Sequence, residues 1–428
     1  MYKRINAEDA ELGMYIHKFE GSWFKHPFWK SRFLLTDERK LRILRASDVD
    51  GVIIDVNKGK DIEQSMFDPA PLPTAITRPS RIAATRRRAA AECRLAQPVD
   101  DLRSVAPQPL QREFGNARLV EDRAHKVMLK VFMQSRLGKA IKVKAAEPVV
   151  DDIYASIQRN AQAFNGLMHC KNAAQDVYRH SIAVCALMIS LARQMKLPPE
   201  QIREAGMAGL LMDIGVCRLP VEQPLDDADY QTLPAEVRRQ HVMLGYDMLV
   251  RAGNIPDPVL MVSIRHHERM DGSGYPKALK GDEIDLFSRM AAICDCYDNL
   301  VAWRADGSAL DPARAIRKLE EEGEAFDREI LGSFVDFLGV YPIGSFVTLR
   351  SGRLAMVVAE NPADTNLPLV RSFWSLELDK AVPQDNIDLA NCFGQDAITG
   401  FADLTGLVLP EIPALREMLF ASALKGMM

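Results

Sequence analysis

The chain has 428 residues, 47% of them hydrophobic, which is enough for two or three domains with buried cores and too apolar for a wholly disordered polypeptide. Its 54 Lys and Arg against 58 Asp and Glu give a formal net charge of −4, so no global basic field exists to hold duplex nucleic acid or an anionic membrane. The start, MYKRINAEDAELGMYIHKFE, lacks a signal-peptide core, and the most apolar run, IAVCALMISLA, is about half of the roughly 20 residues a membrane span needs. A cytoplasmic protein without a membrane span is expected. Seven scattered cysteines, an odd number with no CxxC pair, fit buried thiols in a reducing compartment.

In chain order, residues 1–68 carry short β-rich runs (MYIHKF, SRFLLT, GVIIDV) around the aromatic stretch SWFKHPFW, and predict a small β-containing domain. Residues 69–116 hold seven of the 24 prolines and the run Arg86-Arg87-Arg88, with almost no aromatics, and read as a linker. Helical periodicity dominates 117–338, with segments near 117–138, 147–169, 172–195, 200–215, 234–252, 257–268, 286–303 and 311–322. Residues 339–428 open with YPIGSFVTLRSGRLAMVVAENP, which predicts two or three strands, and close with the short helix PEIPALREMLFASALKGM. The fold class is mainly α, an all-helical domain between a small β-containing N-terminal domain and a short β-rich C-terminal extension.

Only eight histidines occur, yet His266 and His267 are adjacent in HHERMDGSGYP, and His180 and His241 join them in predicted helices. Asp213 and Asp295 lie in the otherwise apolar segments GLLMDIGV and RMAAICDCYDNL. An unpaired buried carboxylate is costly, and coordination to a cation is one way to keep it there. Neutral imidazole with carboxylate is the donor set for borderline divalent metals such as iron, manganese or zinc. The glycines after HHE let the backbone turn closely past a ligand.

The run HHERMDGSGYP, with HSIAV, LLMDIG and RRQHVMLGYDML before it and SRMAAICDCYDNL after it, resembles the HD-GYP family of bacterial cyclic di-GMP phosphodiesterases over about residues 170–345. Residues 1–68 are similar to the small domain that often precedes such modules. The resemblance implies an HD-type metal-dependent phosphohydrolase fold and one or two divalent ions, iron or manganese foremost. His180 and Asp295 then match ligands of one metal, Asp213 the catalytic carboxylate bridging two, and His241, His266 and His267 ligands of the second. Asp176, one helical turn before His180, matches a carboxylate ligand of some members. Gly274, Tyr275 and Pro276 stand in the substrate loop that Gly272 helps to turn, and Lys277 and Arg304 take positions of basic residues near substrate phosphates. Implied partners are cyclic di-GMP, diguanylate cyclase-type or other signalling proteins, and a second copy of the chain in a homodimer.

The chain departs from the family at two points. LLMDIGV stands where LLHDIGK is usual, so Met212 replaces the histidine and Val216 a lysine. A thioether is a soft ligand suited to copper(I), so an impaired phosphodiesterase is expected. The alternative is an inactive module that binds cyclic di-GMP or another protein. Asp298 reads as a group packed behind the ligands, and Glu268 and Asp271 as undetermined. Cys294 and Cys296 read as core.

Overall fold

The structure is a computed structural model describing residues 2–6, 9–20, 33–36, 38–45, 51–60, 106–139, 141, 143–170, 177–220, 230, 232–302, 309–392 and 394–425. The chain forms two compact units, 1–97 and 98–428. SWFKHPFW, the Arg86 to Arg88 run, Asp176 and Arg304 lie outside the described residues.

In the first unit, strands β1 (Tyr2–Ile5), β2 (Tyr15–Glu20), β3 (Phe33–Leu34) and β4 (Gly51–Asp55) form an antiparallel sheet in the order β1-β4-β2-β3, with helix α1 (Glu38–Arg45) between β3 and β4 in the chain. Ile5, Met14, Ile16, Leu35, Leu44, Val52 and Ile54 close a small core. The three expected strands are present; β1 and α1 are additions.

The second unit starts with α2 (Leu110–Arg136), so the helix begins inside the stretch read as linker. It continues with α3 (Glu147–Arg159), α4 (Ala161–Cys170), α5 (Val177–Gln194), α6 (Pro199–Leu211), α7 (Ala235–Arg238), α8 (His241–Ala252), α9 (Asp257–Arg265), α10 (Leu286–Val301), α11 (Pro312–Glu321) and α12 (Arg328–Leu338). Helix α5 is its axis: every residue from His180 to Ala192 is buried, as an all-round apolar helix requires. IAVCALMISLA is thus core, and no helix among the described residues is long and apolar enough to cross a membrane. Cys294 lies in this core and Cys296 packs against it. The six described cysteines are free thiols.

Three expected helices are interrupted. At Asn160 the backbone is extended (φ −164°, ψ 107°), and its side chain donates to the Gln108 carbonyl while accepting from Ala163 N at 3.3 Å, which starts α4. Helix α6 stops at Leu211, and Asp213 (φ −96°, ψ 12°) begins a 3-10 turn over Ile214–Arg218. Gly215 in that turn lies so close to the His241 carbonyl that a Cβ could not fit, and this contact seats the Asp213 turn on α8. Residues Arg239 and Gln240 separate α7 from α8.

After α12, six strands form an antiparallel sheet: β5 (Phe346–Leu349), β6 (Arg353–Ala359), β7 (Leu369–Ser375), β8 (Lys380–Ala381), β9 (Asn386–Asp388) and β10 (Ile398–Phe401). Their order is β10-β5-β6-β7-β8, with β9 also pairing β7. The closing helix α13 (Ile412–Lys425) buries Leu415, Leu419 and Phe420 with Phe346 and Phe373 in a core of its own. The extension is larger than the two or three strands expected.

Candidate metal centre

The site is built from five places in the chain. His180 comes from the first turn of α5, Asp213 from the break after α6, and His241 from the first residue of α8. His266 ends α9 with helical backbone angles, His267 follows it, and Asp295 and Asp298 project from α10. The histidine pair therefore stands at and beyond a helix end, not inside a helix, because α9 gives way to the glycine-containing loop.

Asp213, 7% exposed, is the pivot. Its Oδ2 is 3.2 Å from His180 Nε2, while its Oδ1 is 3.2 Å from His241 Nε2 and 3.5 Å from His266 Nε2. Asp295 likewise meets two imidazoles, through Oδ1 to His180 Nε2 at 3.1 Å and through Oδ2 to His267 Nδ1 at 3.5 Å. Two donor clusters result, His180 with Asp213 and Asp295, and His241 with His266 and His267; the donor atoms within each lie less than 5 Å apart. Every sequence-predicted donor among the described residues is in one of them.

The ring orientations are fixed from behind. His241 Nδ1 is 2.6 Å from the Arg238 carbonyl and His266 Nδ1 is 2.9 Å from the Val262 carbonyl. A carbonyl only accepts, so both Nδ1 atoms carry the proton and both Nε2 atoms offer a lone pair. Those two Nε2 atoms face each other at 3.3 Å. Two lone pairs so placed repel unless a proton or a cation lies between them. His180 Nδ1 is 2.7 Å from Asp298 Oδ2, a carboxylate behind an imidazole of the kind that sets tautomer and basicity in metal sites. Asn299, one turn after Asp295, donates to Asp295 Oδ1 at 2.8 Å.

Electrostatics agrees with a site short of positive charge. Burial opposes the charge on Asp213, but hydrogen bonds from His180, His241 and His266 outweigh it and hold the carboxyl well below the usual range. Burial also disfavours charge on His180, and its bonds to Asp213, Asp295 and Asp298 reverse that and raise it well above an ordinary imidazole. His266 is raised by Asp213 in the same way. His267 is pushed well down, by burial first and then by its neighbours His266 and His241. Hard carboxylate and borderline imidazole, buried and convergent, fit a divalent cation of the iron, manganese or zinc type.

The loop beside the site is held by a residue whose role the sequence left open. Glu268, 1% exposed, accepts from Lys277 N at 2.8 Å and Leu279 N at 3.0 Å, and Tyr275 N donates to the His267 carbonyl. Gly274 packs against the backbone of His267 to Arg269 where no Cβ fits, and Gly272 has φ +83°. Tyr275 stacks on His267, with ring centroids 4.7 Å apart and planes at 24°. Pro276 and Lys277 are exposed. Asp271 accepts from Ser273 in a surface turn. Tyr230, which sequence reasoning missed, meets His241 edge-on at 6.4 Å, and burial with the nearby Asp213 charge pushes its phenol upward. Met212 is fully buried in the apolar core, and Val216 lines a small crevice with Phe132, Val177, Tyr178 and Cys217.

Helices bearing two clusters of buried imidazole and carboxylate define an HD-type metal-dependent phosphohydrolase domain. A family model described as "HD domain" matches residues 154–330, and one described as "Domain of unknown function (DUF3391)" matches residues 2–146. A cyclic di-GMP phosphodiesterase of Pseudomonas aeruginosa is 36% identical over 407 residues, covering 94% of this chain and 92% of its own. The cyclic di-GMP phosphodiesterase response regulator RpfG of Xanthomonas campestris pv. campestris is 33% identical over 139 residues, 32% of this chain and 37% of its own. The 3'3'-cGAMP-specific phosphodiesterase 1 of Vibrio cholerae is 33% identical over 136 residues, 31% of this chain and 30% of its own. The chain belongs to the HD-GYP family of cyclic di-GMP phosphodiesterases.

Proposed function

We propose that the chain hydrolyses cyclic di-GMP at a site made of the two clusters, and so acts in bacterial second-messenger signalling. The observation that carries this reading is Asp213, whose two oxygens face different imidazole sets at 3.2 Å each. His180, Asp213 and Asp295 would hold one divalent ion, and Asp213, His241, His266 and His267 a second, with iron or manganese suited to the mixed N and O donors. Bound cations would lower the pKa of water and neutralise charge on the attacking and leaving oxygens.

The chain's own residues prepare for that chemistry. The Arg238 and Val262 carbonyls keep the proton on Nδ1 of His241 and His266 and leave Nε2 facing inward. Asp298 and Asn299 fix His180 and Asp295. Glu268 ties the loop carrying Tyr275, Pro276 and Lys277 to the histidine pair, so that loop and clusters keep one geometry. Tyr275, Pro276 and Lys277 would meet the substrate, and Gly274 permits the close backbone approach. Cyclic di-GMP is preferred over other cyclic dinucleotides because the relative that spans nearly the whole chain is named for it.

Met212 and Val216 support reduced turnover, since neither an apolar thioether in the core nor a valine beside Phe132 and Tyr178 supplies a ligand or a phosphate contact. The test is hydrolysis of cyclic di-GMP by protein purified with iron or manganese, beside the Asp213→Asn variant. Slow metal-dependent turnover that the variant loses is expected. Stoichiometric metal and tight binding without turnover would instead assign the receptor role, and neither binding nor turnover would refute both.

A further inference from the structure

Arg239 stands between α7 and α8, two residues before His241. Its backbone is helical (φ −60°, ψ −19°) and its N–H donates to the Ala235 carbonyl at 2.9 Å. The junction is tied to the site, because His241 Nδ1 bonds the adjoining Arg238 carbonyl. Any shift of Arg239 would therefore carry a site imidazole with it. From this fixed point the guanidinium reaches the Tyr275 ring, 4.8 Å from its centroid, and Tyr275 is stacked on His267. Arginine, tyrosine and histidine thus run from the surface to the donor clusters. Arg239 is exposed, and no ion pair holds it among the described residues.

A cation held over an aromatic ring keeps its in-plane N–H donors free, and for arginine these form a fork that matches two oxygens of a phosphodiester. The position is also informative. A cyclic dinucleotide has two phosphodiester groups, of which one is cleaved at the metals while the other must sit further out. Tyr275 touches both His267 and the guanidinium, and Arg239 is the exposed member of the three. Val216 itself offers no charge to a phosphate, and the crevice it lines is shared with Arg136 and the apolar Phe132 and Val177.

We propose that Arg239, carried on Tyr275, binds the phosphodiester group of the cyclic dinucleotide that is not being cleaved. The inference rests on the reading of this site as a cyclic dinucleotide phosphodiesterase. Its test is steady-state kinetics of the metal-loaded full chain on two substrates, cyclic di-GMP and bis(p-nitrophenyl) phosphate, which has a single phosphodiester. Arg239→Ala should raise KM for cyclic di-GMP at least tenfold and lower the ratio of kcat/KM between the two substrates by a similar factor, with metal content unchanged. Arg239→Lys should recover only part of that loss, because a point charge lacks the fork. A KM for cyclic di-GMP within twofold of wild type in Arg239→Ala, or equal loss on both substrates, overturns the proposal. Wild-type protein that cleaves bis(p-nitrophenyl) phosphate but neither binds nor cleaves cyclic di-GMP removes the substrate reading, and this inference with it.

Discussion

Asp298→Ala removes the carboxylate that decides how His180 presents itself. Asp298 Oδ2 lies 2.7 Å from His180 Nδ1, while His180 Nε2 lies 3.1 Å from Asp295 and 3.2 Å from Asp213. Without Asp298 the ring loses both the acceptor that selects its tautomer and the negative charge that raises its basicity. Partners of this kind are typically worth about 10- to 100-fold in metal affinity, or about 1.4–2.8 kcal/mol. The loss should fall on one ion only, since His241 and His266 take their orientation from the Arg238 and Val262 carbonyls, which the substitution does not touch. Titration of metal-free protein with manganese should then show one site weakened about 10- to 100-fold and the other within about threefold. Asp298→Asn should lie between, because its amide oxygen can still accept from Nδ1. If both sites weaken together, or neither moves, the division into two clusters is wrong.

Other expectations follow from single contacts. Glu268→Gln turns one of two acceptor oxygens into a donor facing a backbone N–H, at a cost of about 1–3 kcal/mol to the loop; hydrogen exchange at Lys277 and Leu279 should quicken and KM should rise, and unchanged protection would show that the carboxylate does not hold the loop. The carboxylates that raise His180 and His266 favour their protonated forms, and a cation competes with those protons, so affinity should fall as pH falls. Calorimetry in buffers of different ionisation enthalpy should register proton release, and proton uptake would contradict it. Met212→His should raise metal content and turnover while lowering the Tm of the metal-free protein, because it gives up apolar burial of about 1.5–3 kcal/mol. No gain at saturating metal would mean that position 212 is not a lost ligand.

The candidate donors were legible because motif order carried them: His180, Asp213, His241, the His266–His267 pair and Asp295 are far apart in sequence, and the fold brings them into two adjoining clusters. Their surroundings were less so. The breaks at Asn160, Asp213 and Arg239 each turn on one or two residues and leave the apolar period on both sides intact, so periodicity ran through them. Glu268 beside two histidines could be read as a third donor, and only the fold shows it spent on two backbone amides. Asn299 bonds Asp295 one turn back on the same helix, a pairing that apolar periodicity does not mark, and Arg239 meets Tyr275 only through tertiary packing. Strand β7 escaped because four consecutive residues, Ser372 to Ser375, are buried, which hides the alternation expected of a strand. Asp176 and Arg304 stay expectations from sequence.

The central claim is that Asp213 joins two metal sites. Anomalous scattering at the metal absorption edge, from crystals of protein loaded with iron or manganese, tests it most directly. Two peaks are expected, one beside His180 and Asp295 and one beside His241, His266 and His267, with Asp213 touching both. A single peak without contact to Asp213, or none at saturating metal, would contradict the account.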